Sequence, residues 1–286
     1  MAGLYWLASY PKSGNTWLRV FLANLRSAST QPLSINALNT NTMAGNRHRL
    51  AEVLGFDTSD LTAEELDRLR PAVYRWNGTR DVVQYSKIHD ACLSEAWVAP
   101  AYVAGTLYIV RNPLDVAPSC AHHWNCSLDE AIVAMGSAQT NLGGSTRGIG
   151  TQVRQQLRSW SGHIASWLDT RGAPLHVIRY EDMHQQPLDT FAAAARFLGL
   201  PCDVENLQRA IRFSAFGELA SQEASSRFVE APASGQRFFR RGECGGWRDT
   251  LSVGQVRRIV ADHRAMMARF GYLDDALSWI AAQARP

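Results

Sequence analysis

The chain contains almost no lysine. Of its 29 basic residues, only Lys12 and Lys87 are lysines, and the other 27 are arginines. A codon preference for arginine is a sufficient cause of this ratio. On such a background, retention of a lysine nevertheless indicates a position that needs a compact, mobile ammonium rather than a planar guanidinium. The two lysines are therefore candidate functional groups, to be weighed with the segments around them.

Other features are also missing, and each absence excludes a class of protein. No run of about 18 apolar residues occurs, so no membrane span is predicted. The first residues lack the basic region and cleavage site of a signal peptide, and the five cysteines form no C-x-x-C pair. We therefore expect a cytoplasmic protein with reduced thiols and no metal site. A net charge of +3 is too small to indicate a nucleic-acid partner.

The alternation of apolar strands and helices predicts one α/β domain over residues 1–286. Its P-loop-like parallel sheet is flanked by helices on both faces. Strands are predicted at residues 4–9, 81–86, 105–110 and 175–179. Helices are predicted at residues 16–25, 62–69, 151–170, 187–198, 204–213, 253–270 and 274–282, and loops at 27–46, 136–150 and 221–246.

The first strand runs into the octapeptide YPKSGNTW, residues 10–17, and then into a helix. Backbone N–H groups and the helix dipole meet at a helix N-terminus, so this turn predicts a phosphate site that Lys12 can reach. The pattern G-x-x-x-x-G-K-[ST] is absent because Lys12 precedes Gly14. That order is evidence against an ordinary ATP or GTP hydrolase.

Three further segments carry polar groups. In YIVRNPLDVAPS, residues 108–119, Arg111 follows a strand and Ser119 lies two helical turns further on, so both could hold one anion. Arg111 could equally be a structural residue in an ion pair. Residues 240–247, RRGECGGW, place two arginines before a glycine, or form a solvated loop. In YSKIH, residues 85–89, strand alternation puts Lys87 and His89 on one side.

Together and in order, these segments resemble those of the sulfotransferases that use 3′-phosphoadenosine 5′-phosphosulfate (PAPS). The octapeptide is similar to the family's YPKSGTTW loop, with Asn15 in place of threonine. The resemblance extends over residues 4 to 270. It implies that the 5′-phosphosulfate end of PAPS is bound by Lys12, Ser13, Gly14, Asn15, Thr16 and Trp17, with Trp17 on the adenine.

The remaining donor contacts are also implied by the resemblance. Arg111 and Ser119 match the family's arginine and serine, eight positions apart, that grip the 3′-phosphate. Residues 240–247 resemble R-K-G-x-x-G-x-W, with Gly246 where an aspartate is usual. The implied residues are Arg240, Arg241 and Gly242 over the 3′-phosphate, Tyr180 of the Y-E-D-M segment near adenine, and Ser214 and Phe216 against adenosine.

The resemblance further implies the catalytic groups. His89, matching the histidine of the family's K-T-H segment, would be the general base. Lys12 would stabilise the leaving oxygen, and Lys87 the sulfuryl oxygens, without a metal. A kinase and a nucleotide-binding regulatory module are the alternatives.

The acceptor is where the sequence is least informative, because residues 27–80, 120–150 and 221–238 are the least family-like. His122, His123, Trp124 and Trp76 suggest an aromatic-lined cleft. The N-terminal segment is similar to bacterial sulfotransferases that decorate antibiotics, so the expected partner is a small-molecule hydroxyl on a natural product, phenol, sugar or lipid. The dimerisation motif of many animal relatives is absent, which leaves a homo-oligomer possible but unsupported.

Overall fold

The computed structural model of the chain describes residues 3–38, 43–143, 150–231 and 236–284. Its strands are β1 (Gly3–Ser9), β2 (Val83–Ile88), β3 (Val103–Val110), β4 (Asn141–Leu142), β5 (Gln155–Gln156) and β6 (Leu175–Arg179). Four of them form a parallel sheet in the order β2–β1–β3–β6, and β4 pairs with β5 in an antiparallel ribbon. Non-sequential neighbours in a parallel sheet require crossover connections, and helices supply them.

Helices cover both faces of the sheet. They are α1 (Asn15–Arg26), α2 (Arg47–Leu54), α3 (Ala63–Gly78), α4 (Pro113–Trp124), α5 (Leu128–Gly136), α6 (Trp160–Leu168), α7 (Tyr180–Gln185), α8 (Pro187–Phe197), α9 (Val204–Phe213), α10 (Phe216–Ser225), α11 (Val253–Arg269) and α12 (Leu273–Gln283). Along β1, Trp6 and Ala8 join an apolar cluster with α4, α5, α6 and α11, whereas Leu7 joins one with α1, α8 and α9. The predicted α/β class, with a parallel sheet between two helical layers, is confirmed.

The second strand begins two residues later than predicted. Val82 lies just before the strand and is 52% exposed. The pairing with β1 instead runs to Ile88, with Lys87 opposite Leu7 in register. Lys87 therefore lies inside β2, and His89 is the first residue beyond it.

Two predicted helices differ from the observed ones by several residues. Residues 151–159 are not helical, and the helix predicted to end at 69 continues through Pro71 to Gly78. Arg70, on α3, and Asp90, just after β2, are fully buried and form an ion pair, with Arg70 Nη1 2.9 Å from Asp90 Oδ1. The same carboxylate oxygen accepts from the backbone N–H of Gln156, in the segment that is not helical. This long-range hydrogen bond uses an N–H that a helix through residues 151–159 would need.

The predicted loops are partly structured. Residues 27–46 contain a turn of 3₁₀ helix at Ile35–Ala37, and residues 39–42 of that prediction lie outside the described residues. Residues 221–225 belong to α10, while 232–235, together with 144–149 of the loop predicted at 136–150, also lie outside the described residues. Within the described ranges, no helix is both long and apolar enough to cross a bilayer.

Candidate active site

A cavity of about 1090 Å³ opens where the strands β1, β2 and β3 end. In an open parallel sheet, the carboxyl-terminal edge is the usual place for a ligand. The residues predicted from the sequence that line the cavity are Lys12, Gly14, Asn15, Thr16, Trp17, Lys87, His89, Arg111, Ser119, Tyr180, Phe216, Arg240, Arg241 and Gly242. Segments more than 200 residues apart in the chain therefore share one cleft.

The turn between β1 and α1 is shaped for an anion. Lys12 and Gly14 both have left-handed backbones, with φ of 66° and 103°. Gly14 is the N-cap of α1, and no side chain among the described residues caps this helix. A helix N-terminus without a side-chain cap presents free N–H groups and a partial positive charge, and Lys12 adds an ammonium beside them. The arrangement suits a phosphate or sulfate group.

Three residues predicted to bind the donor are buried and, in two cases, hydrogen-bonded within the protein. Ser13 is 1% exposed and does not line the cleft, and its hydroxyl has no partner among the described residues. Asn15 Nδ2 donates to the Leu7 carbonyl at 2.8 Å, which ties α1 to β1. Ser214 is fully buried, does not line the cleft, and donates to the Ala210 carbonyl at 2.8 Å. Its hydroxyl is occupied within its own helix end.

Arg111 connects the separate donor segments. Its Nη1 donates to the Lys12 carbonyl at 2.9 Å and its Nη2 to the Glu243 carbonyl at 3.0 Å. The guanidinium carbon lies 4.1 Å from the centre of the Tyr180 ring, a cation–π distance. Both nitrogens thus reach carbonyls rather than carboxylates, and the positive charge remains directed to the cleft.

Asp115 holds the loop that carries Arg240 and Arg241, a role that the sequence did not reveal. Its carboxylate accepts from the backbone N–H groups of Gly245, at 2.8 Å, and Trp247, at 3.1 Å. Trp247 is buried, so the loop is anchored although Gly246 replaces the family's aspartate. The only sequence signal was the position of Asp115 in the first turn after Arg111.

His89 is held as a neutral imidazole. Its Nδ1 lies 2.8 Å from the Ser9 carbonyl oxygen, which can only accept, so Nδ1 carries the proton and Nε2 keeps a lone pair. Burial, with the nearby charge of Lys87, lowers the pKa of His89 well below its ordinary value of 6.5. The backbone carbonyl of His89 also lies 3.0 Å from His163 Nε2, which fixes the peptide. The imidazole is therefore unprotonated at neutral pH and fixed in orientation.

The two lysines have different surroundings. Burial, reinforced by the charges of Lys87 and Arg111, lowers the pKa of Lys12 to about 8. Its ammonium lies 3.8 Å from the centre of the Phe238 ring. Lys87 Nζ is instead paired with Glu230 Oε2 at 2.9 Å. Glu230 comes from a segment that the sequence marked only as a loop, so its role was missed.

The aromatic residues suggested for the acceptor divide into two groups. His123 and Trp124 line the cavity. His122 lies outside it, with Nε2 3.0 Å from the Arg237 carbonyl oxygen, and Trp76 is 44% exposed on α3 and also outside. Among the described residues, no group of three or more His, Cys, Asp and Glu side chains is placed to hold a metal ion.

Comparisons with protein families and with individual proteins both match the chain to sulfotransferases. Residues 4–271 match the sulfotransferase domain family. Rat sulfotransferase 2A6 is 24% identical over 274 residues, covering 92% of this chain and 84% of that protein. Cytosolic sulfotransferase 1 of Arabidopsis thaliana is 23% identical over 268 residues, covering 88% of this chain and 75% of that protein.

Solved structures with the same fold include mouse sulfotransferase SULT7A1 complexed with PAP. It has a TM-score of 0.59 and 19% identity, and the match covers 97% of this chain and 88% of that one. Retinol dehydratase in complex with androsterone and the inactive cofactor PAP has a TM-score of 0.58 and 18% identity, over 92% of this chain and 80% of that one.

The glycine at the anion turn gives a first testable prediction. A Cβ on Gly14 would lie 2.6 Å from Tyr180 Cδ2, in a backbone of positive φ. We expect Gly14→Ala to lower the free energy of unfolding by about 1–3 kcal/mol more than the control Gly199→Ala, the usual cost of overpacking. Gly199 also has a positive φ, but its Cβ would meet no atom within 4 Å. Urea denaturation of both variants measures the difference, and equal losses would show that the Tyr180 contact is not limiting.

Proposed function

The chain belongs to the sulfotransferase family, and we propose that it moves a sulfuryl group from PAPS to a hydroxyl of a small-molecule acceptor, with His89 as general base. The observation that carries the proposal is that two sets of anion-binding groups and a neutral histidine line one cleft. The first set is the N-terminus of α1 with Lys12, and the second is Arg111 with the arginines that follow α10. PAPS carries phosphate on both the 5′ and the 3′ oxygen of its ribose, whereas ATP has no phosphate on the 3′ oxygen.

The donor is proposed to lie along the cleft from α1 to the loop held by Asp115. The 5′-phosphosulfate occupies the N-terminus of α1, where Gly14 allows the backbone to approach. Arg111, Ser119 and the pair Arg240–Arg241 hold the 3′-phosphate. The presence of PAP, the product left by PAPS, in the SULT7A1 and retinol dehydratase structures supports this choice of donor.

The adenine is proposed to lie on an aromatic wall. The rings of Trp17 and Tyr180 meet edge to face with centres 5.8 Å apart, and both line the cleft. Phe216 packs directly on the backbone of Gly242, and both residues line the same cleft. Aromatic rings bind a purine by stacking on its face, so this part of the cleft suits adenine better than it suits a phosphate.

The chemical step follows from the positions of three side chains. His89 Nε2 accepts the proton of the acceptor hydroxyl, whose oxygen forms a bond to sulfur. The bond from sulfur to the bridging oxygen breaks, and the electron pair stays on the 5′-phosphate, where the Lys12 ammonium stabilises it. Lys87 stabilises the sulfuryl oxygens during the in-line transfer. The sulfuryl group carries less charge than a phosphoryl group, so no divalent metal is needed.

The acceptor is proposed to bind on the His89 side of the cavity. The segments near Lys87 and α4 add apolar side chains to the lining, such as Met43, Trp124 and Leu142, and also polar ones, such as Arg47, Gln152 and Gln155. A mixed lining of this kind suits a phenol or natural product that carries polar groups on its ring system. A cytoplasmic location and a bacterial origin remain predictions from the sequence.

The test is transfer of radiolabelled sulfate from PAPS to a panel of hydroxylated phenols, sugars, lipids and natural products. We expect labelled product and release of adenosine 3′,5′-bisphosphate in the presence of EDTA. Magnesium-dependent consumption of ATP with phosphorylated product would identify a kinase instead. Tight binding of the nucleotide with no transfer to any acceptor would favour a regulatory module.

Replacement of the base gives a sharper prediction. We expect His89→Ala to lower turnover by about 100-fold or more, because that is the scale of general-base catalysis. The affinity for adenosine 3′,5′-bisphosphate, measured by calorimetry, should change little. His122→Ala is the matched control, since His122 lies outside the cleft. Near-normal turnover in His89→Ala would remove His89 from the catalytic role.

The lowered pKa of Lys12 predicts proton uptake when the donor product binds. With a pKa of about 8, part of the free enzyme holds a neutral Lys12 at pH 8. A bound 5′-phosphate favours the charged form, so binding should take up about half a proton at this pH. Calorimetry in buffers of different ionisation enthalpy measures the uptake. Lys12→Arg, which stays protonated, should show less uptake, and equal values would contradict the assignment.

A further inference from the structure

The segment that follows α10 contacts both lysines of the chain. Phe238 covers the Lys12 ammonium, as described above, and Glu230 binds that of Lys87. The second carboxylate oxygen of Glu230 lies 2.8 Å from Arg19 Nη1. Glu230 thus joins β2, which carries Lys87, to α1, which carries Arg19 and begins at the anion turn.

This arrangement of charges is nearly closed to solvent. The side chains of Arg19, Glu230 and Lys87 are only 6%, 10% and 13% exposed. An ammonium removed from water loses its hydration and needs a fixed partner to remain charged. Burial lowers the pKa of Lys87, and the carboxylate of Glu230 opposes that shift. Burial alone would raise the pKa of Glu230, but Lys87 and Arg19 together bring it below its ordinary value.

Glu230 is poorly suited to be a second base. Each of its oxygens already accepts from a cation, at 2.8 and 2.9 Å. Its pKa is lowered, which makes it a weaker proton acceptor than an ordinary carboxylate. Arg19 lies in the rigid helix α1 and is not among the residues that line the cleft, so it fixes the carboxylate from behind. The geometry therefore favours a role in which Glu230 acts on Lys87, and not one in which Glu230 itself accepts the proton of the acceptor hydroxyl.

We propose that Glu230, supported by Arg19, is a positioning residue for sulfuryl transfer, because it holds the Lys87 ammonium charged and in place beside His89. The inference rests on the proposed function of Lys87. Five groups face Lys87 from the elements around it: Glu230, Arg19, Lys12, His89 and His123. Glu230 is the one carboxylate in this set, so its neutralisation removes the only counter-charge among them.

The scarcity of lysine permits a direct test that does not need turnover. Lysine-selective ¹³C labelling gives only two side-chain Cε signals, which Lys12→Arg and Lys87→Arg assign. We expect Glu230→Gln to move the Lys87 titration to lower pH, and the Lys12 titration much less. Glu205→Gln, an exposed carboxylate on α9, is the matched control for net charge and should move neither. An unmoved Lys87 titration in Glu230→Gln would overturn the ion pair.

Kinetics test the role in the reaction. At saturating donor, we expect Glu230→Gln to lower kcat about tenfold or more, because part of the charge stabilisation at the sulfuryl oxygens is lost. The affinity for adenosine 3′,5′-bisphosphate, which has no sulfuryl group, should stay within about threefold. The alkaline limb of kcat should also move to lower pH. In a Lys87→Arg background, Glu230→Gln should no longer move that limb, because arginine stays charged.

The outcomes separate this inference from the proposed function. A shifted Lys87 titration with unchanged kcat would leave Glu230 a structural residue and overturn the proposal. An increase in donor affinity and in turnover at low donor would show that Glu230 competes with the donor as an anion, which also overturns it. If the parent enzyme transfers no sulfuryl group from PAPS, the proposed function fails, and a positioning role in that reaction fails with it. The titration still decides the ion pair.

Discussion

The guanidinium of Arg111 is the contact through which separate parts of the chain become one site. It extends from the end of β3 to the Lys12 carbonyl on one side and the Glu243 carbonyl on the other, and its face lies on Tyr180. A lysine could not replace it, because an ammonium lacks a planar fork that reaches two carbonyls while stacking on a ring. The donor pocket thus depends on one side chain that satisfies backbone groups and still presents positive charge.

Much of the fold could be predicted because local signals and tertiary packing agree in the layers around the sheet. The strand Leu175–Arg179 and the helix Val204–Phe213 were predicted with their observed bounds. The site residues at strand ends were also predictable, because a parallel sheet gathers the carboxyl ends of its strands at one edge. Lys12, His89 and Arg111 each follow a strand by no more than three residues.

The parts that could not be predicted depend on contacts between distant residues. Residues 151–159 have a helical pattern, but none of them is helical, and the backbone N–H of Gln156 among them donates to the buried carboxylate of Asp90. Ser214 was predicted to contact adenosine from its position in a motif, and its hydrogen bond to the Ala210 carbonyl is visible only in the structure. Asp115 and Glu230 bind groups more than 100 positions away, at Trp247 and Lys87, and only the place of Asp115 in the turn after Arg111 marked either of them in the sequence. Periodicity and spacing describe neighbours along a chain, so partners of this kind become visible only in the fold.

The near-absence of lysine also limits where reagents that modify amines can react with the protein. Amine-directed esters normally modify many surface sites, but here the only side-chain amines are those of Lys12 and Lys87, both in the cleft. Burial lowers the pKa of both amines, that of Lys12 to about 8, which raises the neutral and nucleophilic fraction at mild pH. Amine coupling to a sensor chip or a dye would therefore have the terminal α-amine and these two cleft residues as its targets. Attachment through a terminal tag avoids the cleft, whereas coupling through cysteine would modify the exposed Cys244 in the loop that Asp115 holds.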